Sequence, residues 1–235
     1  MAEVEIVLVE PLYDGNIGFA ARVMKNFGFT NLTLVNPPEI TVEAIARSSH
    51  ARDVLENARV CSLEEVIRDS GMLVATTGEL SKSISTAMRM PYYTPSELRE
   101  ILKKPEGRVS ILFGRENWGL SNEEVGRCDV ICTIPTSHEY PILNISHAVG
   151  IVCYELANLA RGEYELATRQ EMESMYAHFS TFLGEIGHPD YKRENTQVML
   201  RRIFGRTALT PREVSILQGI MSRTEWHLSH PDEGC

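Results

Sequence analysis

The residues of this chain best suited to holding and reacting a ligand fall in three segments far apart in sequence. They are Glu10-Pro-Leu-Tyr-Asp-Gly-Asn-Ile-Gly-Phe-Ala-Ala-Arg22, Phe113-Gly-Arg-Glu-Asn-Trp-Gly-Leu-Ser121 and Leu143-Asn-Ile-Ser-His-Ala-Val149. Each follows a strand-like run or a loop and precedes a helix-like run, where an α/β protein presents backbone donors and polar side chains to a ligand. Three such edges point to one site. The common nucleotide signatures do not fit it. Gly114 to Ser121 has the glycine spacing of a phosphate-binding loop, but Leu120 stands where a lysine must reach the β- and γ-phosphates. No Gly-x-Gly-x-x-Gly follows the first strand, so a dinucleotide dehydrogenase would lack its pyrophosphate cradle.

The elements that must position these segments alternate between two periods. Residues 4–9 form a continuous, largely β-branched run; residues 17–27 carry apolar positions at helical spacing, and Gly28 is placed to end that helix with φ > 0. Further strands are predicted at 32–35, 72–76, 109–113 and 130–134. Helices are predicted at 63–68 and 96–102, the latter opened by Thr94-Pro95. A long amphipathic helix over 144–161 closes the unit. Strands separated by crossovers imply a mostly parallel sheet with helices on both faces, formed by residues 1–161. No strand pattern is visible beyond Arg161-Gly162. Residues 169–183, 192–204 and 211–223 read as helices, the last with Thr210 at the N-cap, Pro211 in the first turn and Glu213 at the third position. Residues 162–235 therefore read as a small helical extension turning at 184–190.

Composition bounds the function classes. The 235 residues are 43% hydrophobic, enough for a full core, and the net charge is −9. An acidic total argues mildly against nucleic acid, but the footprint is judged patch by patch. Arg22 and Lys25 flank the first segment, and Lys192, Arg193, Arg201, Arg202, Arg206 and Arg212 concentrate in the last quarter. A solvated helix face is the competing account of that cluster. Five cysteines, Cys61, Cys128, Cys132, Cys153 and Cys235, make an odd number without framework or zinc-site spacing, so reduced structural thiols and no metal are expected. The N-terminal residues have acids where a signal peptide needs basic groups and an apolar run too short to span a membrane, which places the protein in the cytoplasm.

Gly15-Asn-Ile-Gly18 has the spacing of a KH-type RNA clamp, without the rest of that domain around it. Taken together, the three segments instead resemble the motifs of the SPOUT methyltransferases, most closely the TrmJ branch that methylates a ribose 2′-hydroxyl of tRNA. The likeness covers residues 3–161 and, more weakly, the region 189–223. It implies a Rossmann-like parallel sheet with a C-terminal trefoil knot, an exception to the rule that chains do not knot. It also implies S-adenosyl-L-methionine as methyl donor, tRNA as substrate with anticodon-loop position 32 as target, and a homodimer whose subunits share each active site, with no membrane or DNA partner. Ribosomal RNA as substrate, a non-catalytic RNA-binding protein on the same scaffold, and a metabolic enzyme for a small acidic substrate stay open at this point.

Carried onto this chain, the resemblance assigns donor contacts to Thr76, Thr77 and Gly78, to Gly114, Glu116 and Gly119, and to Ile134, Ile142, Leu143, Asn144 and Ser146. Glycines and apolar residues suit such a donor, because its adenine needs a flat apolar slot and a close backbone edge. Ile142 stands where the branch often has serine, so only a backbone contact is available there. Arg22 is the expected catalytic residue, a fixed cation that anchors a phosphate and stabilises the developing alkoxide; a guanidinium is too basic to take the proton. Asn16 either orients Arg22 or the ribose, or caps its helix. Glu116 orders a loop or reaches the substrate. Lys25, Arg115, Lys192, Arg193, Arg201 and Arg202 are the expected RNA contacts, with an ion pair across the dimer as the alternative for Arg115. Ser146 touches the donor or bonds within its own helix.

Overall fold

The β-branched run near the N-terminus is an inner strand of an eight-stranded sheet. The computed structural model describes residues 2–78, 90–103, 105–137, 139–157 and 164–230. In chain order its elements are β1 (Ala2–Val9), α1 (Asp14–Asn26), β2 (Leu32–Val35), α2 (Val42–Ser48), α3 (Arg52–Glu56), β3 (Arg59–Cys61), α4 (Leu63–Asp69) and β4 (Met72–Thr76). There follow β5 (Tyr92–Tyr93), α5 (Pro95–Leu102), β6 (Pro105–Phe113), α6 (Asn122–Gly126), β7 (Val130–Cys132) and α7 (Ile145–Leu156). Last come β8 (Tyr164–Glu165), α8 (Arg169–Glu185), α9 (Asp190–Gly205) and α10 (Pro211–Ser229).

The strand order is β3-β2-β1-β6-β4-β7-β5, with β8 beside the start of β6, and the pairs are parallel. Alternation along β1 divides the core. Val4, Ile6 and Leu8 pack with α1, α5 and α7, whereas Val7 and Val9 pack with Val66 and Ile67 of α4 and Val125 of α6. Each fully buried aliphatic side chain contributes about 1.5–3 kcal/mol. Helix starts are written in the sequence: Ser62, Thr94, Ser121, Thr168 and Thr210 each form a capping box with the glutamate three residues on.

Three short strands depart from the sequence expectation. β3, β5 and β8 have two or three residues each, and Val60 in β3 is 65% exposed, so no apolar alternation marks them. β8 also lies beyond residue 161, where no strand was expected. α7 stops at Leu156, and the expected boundary at 161/162 falls outside the described residues.

The C-terminal extension is built on α8, which α9 and α10 both flank, around Met172, Met175, Tyr176, Val214 and Met221. Two buried arginines fasten it to the sheet. Arg169, with its side chain 1% exposed, donates to both Asp129 carboxylate oxygens at 3.0 and 2.9 Å and to the Arg127 carbonyl at 2.9 Å. Arg202 donates to the carbonyls of Val125, at 2.7 Å, and Cys128. Gly205 lies so close that a Cβ there would be 2.4 Å from the Asp129 Cβ. Among the described residues, no helix is long and apolar enough to cross a membrane. Burial pushes the thiols of Cys128, Cys132 and Cys153 up to about 12, which makes them inert packing groups.

Candidate active site

The three segments meet at the carboxyl ends of adjacent strands. The first leaves β1 and the second leaves its neighbour β6; residues 76–78 leave β4 and residues 133–144 leave β7. β1 is also where the chain's successive strands change direction across the sheet, the usual crevice for a ligand in an open α/β fold.

A chain of side-chain hydrogen bonds ties the segments together. The Asn144 amide donates to Asn16 Oδ1 at 3.1 Å, and the Asn16 amide donates to Glu116 Oε1 at 2.8 Å. The other oxygen of Glu116 accepts the Leu12 backbone N–H at 2.8 Å. Asn16 is thus no N-cap, since α1 begins at Asp14; it is the link between the other two segments. Glu116 has the loop-ordering role.

The second segment is a tight loop closed on itself. Arg115 and Gly119 exchange backbone hydrogen bonds of 3.2 and 2.8 Å, and Gly119 has φ +71°, a conformation that favours glycine. A Cβ on Gly114 would lie 2.1 Å from the Gly119 carbonyl carbon. Gly114 is therefore required by the loop itself, beyond any need of a ligand. Arg115 is buried and held by Glu10 at 2.7 Å and by both oxygens of Glu124 at 2.9 and 3.0 Å. Burial alone would raise the Glu124 carboxyl, but Arg115 and the Ser121 N–H outweigh it and hold the group below the usual carboxylate range. The same pairing keeps Arg115 charged despite its burial.

These loops enclose a cavity of about 390 Å³. Thr76, Thr77, Gly78, Gly114, Glu116, Gly119, Ile134, Ile142 and Leu143 all line it, as expected of donor-binding residues. Phe113, Trp118, Leu120, Cys132, Pro141, Ile145 and Ala148 also line it and escape sequence reasoning, because an apolar residue facing a cavity reads like one facing the core. The volume lies within the roughly 300–1,000 Å³ of small-molecule sites. A nucleoside sulfonium fits this donor set: an apolar slot with threonine hydroxyls and glycine backbone at its rim. Asn144 and Ser146 are not among the lining residues. Asn144 caps α7, and both the backbone N–H and the hydroxyl of Ser146 donate to its Oδ1, at 2.9 and 2.7 Å. Their side chains thus hold the start of α7 and its junction with Asn16.

The charged residues divide differently from expectation. Arg22 is exposed on α1, is not among the cavity's lining residues, and has no ion pair or hydrogen bond among the described residues. Lys25 is exposed but reaches Asp53 at 2.6 Å and the His50 carbonyl at 2.9 Å. Three of the expected RNA contacts have partners within the chain. Arg115 is held between Glu10 and Glu124 of its own chain, not of a partner as the ion-pair alternative had it. Arg202 is buried against backbone carbonyls, and Arg201 is held by both oxygens of Glu173 at 2.8 Å and stacked on Tyr176. Both guanidinia are thus engaged within the chain. Lys192 is exposed and Arg193 half-exposed beside Asp190, so both remain accessible. No cluster of His, Cys, Asp and Glu among the described residues could hold a metal ion.

Comparison with known proteins agrees with this geometry. The profile of the SpoU rRNA methylase family matches residues 3–154, and that of the C-terminal domain of the tRNA methyltransferase TrmJ matches residues 170–233. The tRNA (cytidine-2′-O-)-methyltransferase TrmJ of Methanocaldococcus jannaschii is 35% identical over 89% of this chain and 94% of its own length. The tRNA (cytidine/uridine/adenosine-2′-O-)-methyltransferase TrmJ of Pseudomonas aeruginosa is 35% identical over 94% of this chain and 93% of its own. The crystal structure of TrmJ from Z. mobilis ZM4 superposes with a TM-score of 0.75 at 32% identity, covering 95% of this chain and all of that one.

Proposed function

Because the chain belongs to the SpoU rRNA methylase family and carries a TrmJ-type C-terminal domain, we propose that it methylates a ribose 2′-hydroxyl of tRNA with S-adenosylmethionine as donor. The observation that carries this reading is the Asn144–Asn16–Glu116 chain, which holds three distant segments around one glycine-rimmed cavity. The donor's sulfonium supplies an activated methyl group. The residues of the cavity would hold it: Gly78 and the 114–119 loop would give close backbone edges, and Ile134, Ile142 and Leu143 an apolar wall. Fixing the geometry of an in-line transfer supplies much of the barrier reduction.

The nucleophile's side falls to Arg22, whose unpaired guanidinium anchors a phosphate and stabilises the developing alkoxide. Its exposed place away from its own chain's cavity fits a homodimer in which each subunit offers Arg22 to the other's donor. α1 and α7 pack together, and α7 leaves Ile151 and Tyr154 exposed, the latter by 64%, for such a partner. The knotted C-terminal segment, the division near residue 161 and work in the cytoplasm belong to the same reading. By the resemblance of its three segments to the TrmJ branch, the target is the anticodon loop at position 32. Mapping 2′-O-methylation on pooled tRNA and ribosomal RNA after incubation with labelled donor tests it. Label confined to ribosomal RNA, or absent from both, overturns the proposal; a monomer by light scattering at micromolar concentration overturns the shared site.

A further inference from the structure

Trp118 is a large aromatic residue left 56% exposed at the rim of the donor cavity. A core packs its indoles; here the ring stands at the tip of a loop, between the exposed Asn117 and the half-buried Gly119. It is also held in place. The Arg115 guanidinium lies 4.2 Å from the ring centroid, and that guanidinium is fixed in turn by Glu10 and both oxygens of Glu124. The paired backbone hydrogen bonds between Arg115 and Gly119 close the loop on either side of the indole. Among the described residues no other aromatic ring stacks on it. A rigid, cation-backed, solvent-facing indole is the feature proteins use to stack an unpaired nucleobase, which offers a π-face whatever its identity.

We propose that Trp118 is the platform on which an unpaired base, at or next to the methylated ribose, stacks during transfer. The inference rests on the RNA-methylating function above and adds a substrate-positioning residue to it. Glu10, Arg115 and Glu124 then form a frame for that platform, which accounts for an arginine held by two carboxylates where a phosphate contact was expected. Because stacking tolerates every base, the platform fixes the ribose while discriminating weakly between nucleotides.

The chain has two tryptophans, so Trp226→Phe leaves Trp118 as the single indole reporter. Titrating that variant with unmodified tRNA, in the presence of S-adenosylhomocysteine, should quench its emission. Separately, Trp118→Ala should raise the KM for tRNA by about tenfold or more, the effect of losing one stacked base. Donor affinity by calorimetry should stay within about twofold, and Trp118→Phe should recover most of the KM. Equal loss of donor affinity in the alanine variant would show that the indole covers the donor instead. Unchanged KM and unquenched emission would remove the platform, and dissociation of a wild-type dimer by Trp118→Ala would make the ring an interface residue; each overturns the proposal. Wild-type protein that neither binds nor methylates tRNA overturns the functional reading itself, a result separable from all of these.

Discussion

Replacing Arg169 by methionine tests whether the extension is fastened to the sheet as the structure describes. The wild-type guanidinium is fully buried, grips both oxygens of Asp129 and satisfies the Arg127 carbonyl. Without it, Asp129, 2% exposed, keeps among the described residues only the Leu73 N–H at 2.8 Å and the Arg201 guanidinium 3.9 Å away. Removing one partner of a buried pair costs about 3–5 kcal/mol, because the other charge is left desolvated. The nearby Arg201 softens that penalty, so about 3 kcal/mol is expected. For a chain of this size, each kcal/mol moves the melting temperature by about 2–4 °C, giving a drop of about 6–12 °C. Urea denaturation of wild type, Arg169→Met, Asp129→Asn and the double variant forms the cycle. The double variant should be less destabilised than the sum of the singles, with a coupling of about 2 kcal/mol. A loss under about 0.5 kcal/mol for Arg169→Met, or strict additivity, would refute the attachment.

Four further outcomes follow from the site. Arg22→Ala should lower single-turnover methyl transfer by on the order of 10²–10³ with donor affinity unchanged, and Arg22→Lys should recover little; wild-type-like transfer by the alanine variant removes Arg22 from the mechanism. Gly114→Ala should cost at least about tenfold in donor affinity with the helical circular dichroism retained, because its Cβ strikes the Gly119 backbone 2.1 Å away; calorimetric titration reads it. Glu124 and Glu173 are held below the ordinary carboxylate value of 4.5, so their stabilisation is complete above that pH and disappears as pH falls through their folded values. Urea midpoints should therefore drop in acid, and Glu124→Gln should lie furthest below wild type near neutrality, with the gap closing as pH falls. Neutralising Lys192, Arg193, Arg206 and Arg212 together should weaken tRNA binding and flatten its dependence on salt; an unchanged slope makes that cluster a solvated face.

The sheet was legible where burial is nearly complete, because residues 4–9, 32–35 and 72–76 are apolar except for Glu5, Thr33 and Thr76. The helix starts at Pro95 and Pro211 were legible because a capping threonine and a glutamate three residues later are local chemistry. β3 and β8 were not, since a strand of two or three residues held by a neighbour's backbone needs no side-chain pattern. In the site, the glycines and threonines facing the cavity could be assigned from the resemblance. The fate of the arginines could not. Arg115 meets Glu10 from 105 residues away and Arg202 meets Val125 from 77, so nothing local separates a buried guanidinium from a solvated one.

The five residues of α6 are gripped from both sides. The extension's Arg202 takes the Val125 carbonyl, while Glu124, one residue earlier, clamps the loop that carries Gly114 and Gly119. The two parts of the chain are therefore not interchangeable modules. Truncating the protein after the sheet would bare the Asp129 carboxylate along with removing basic residues, so the loss of binding could not be ascribed to either alone. An extension borrowed from a relative to redirect the enzyme to another RNA should work only if residues 122–129 are exchanged with it, as one inherited block.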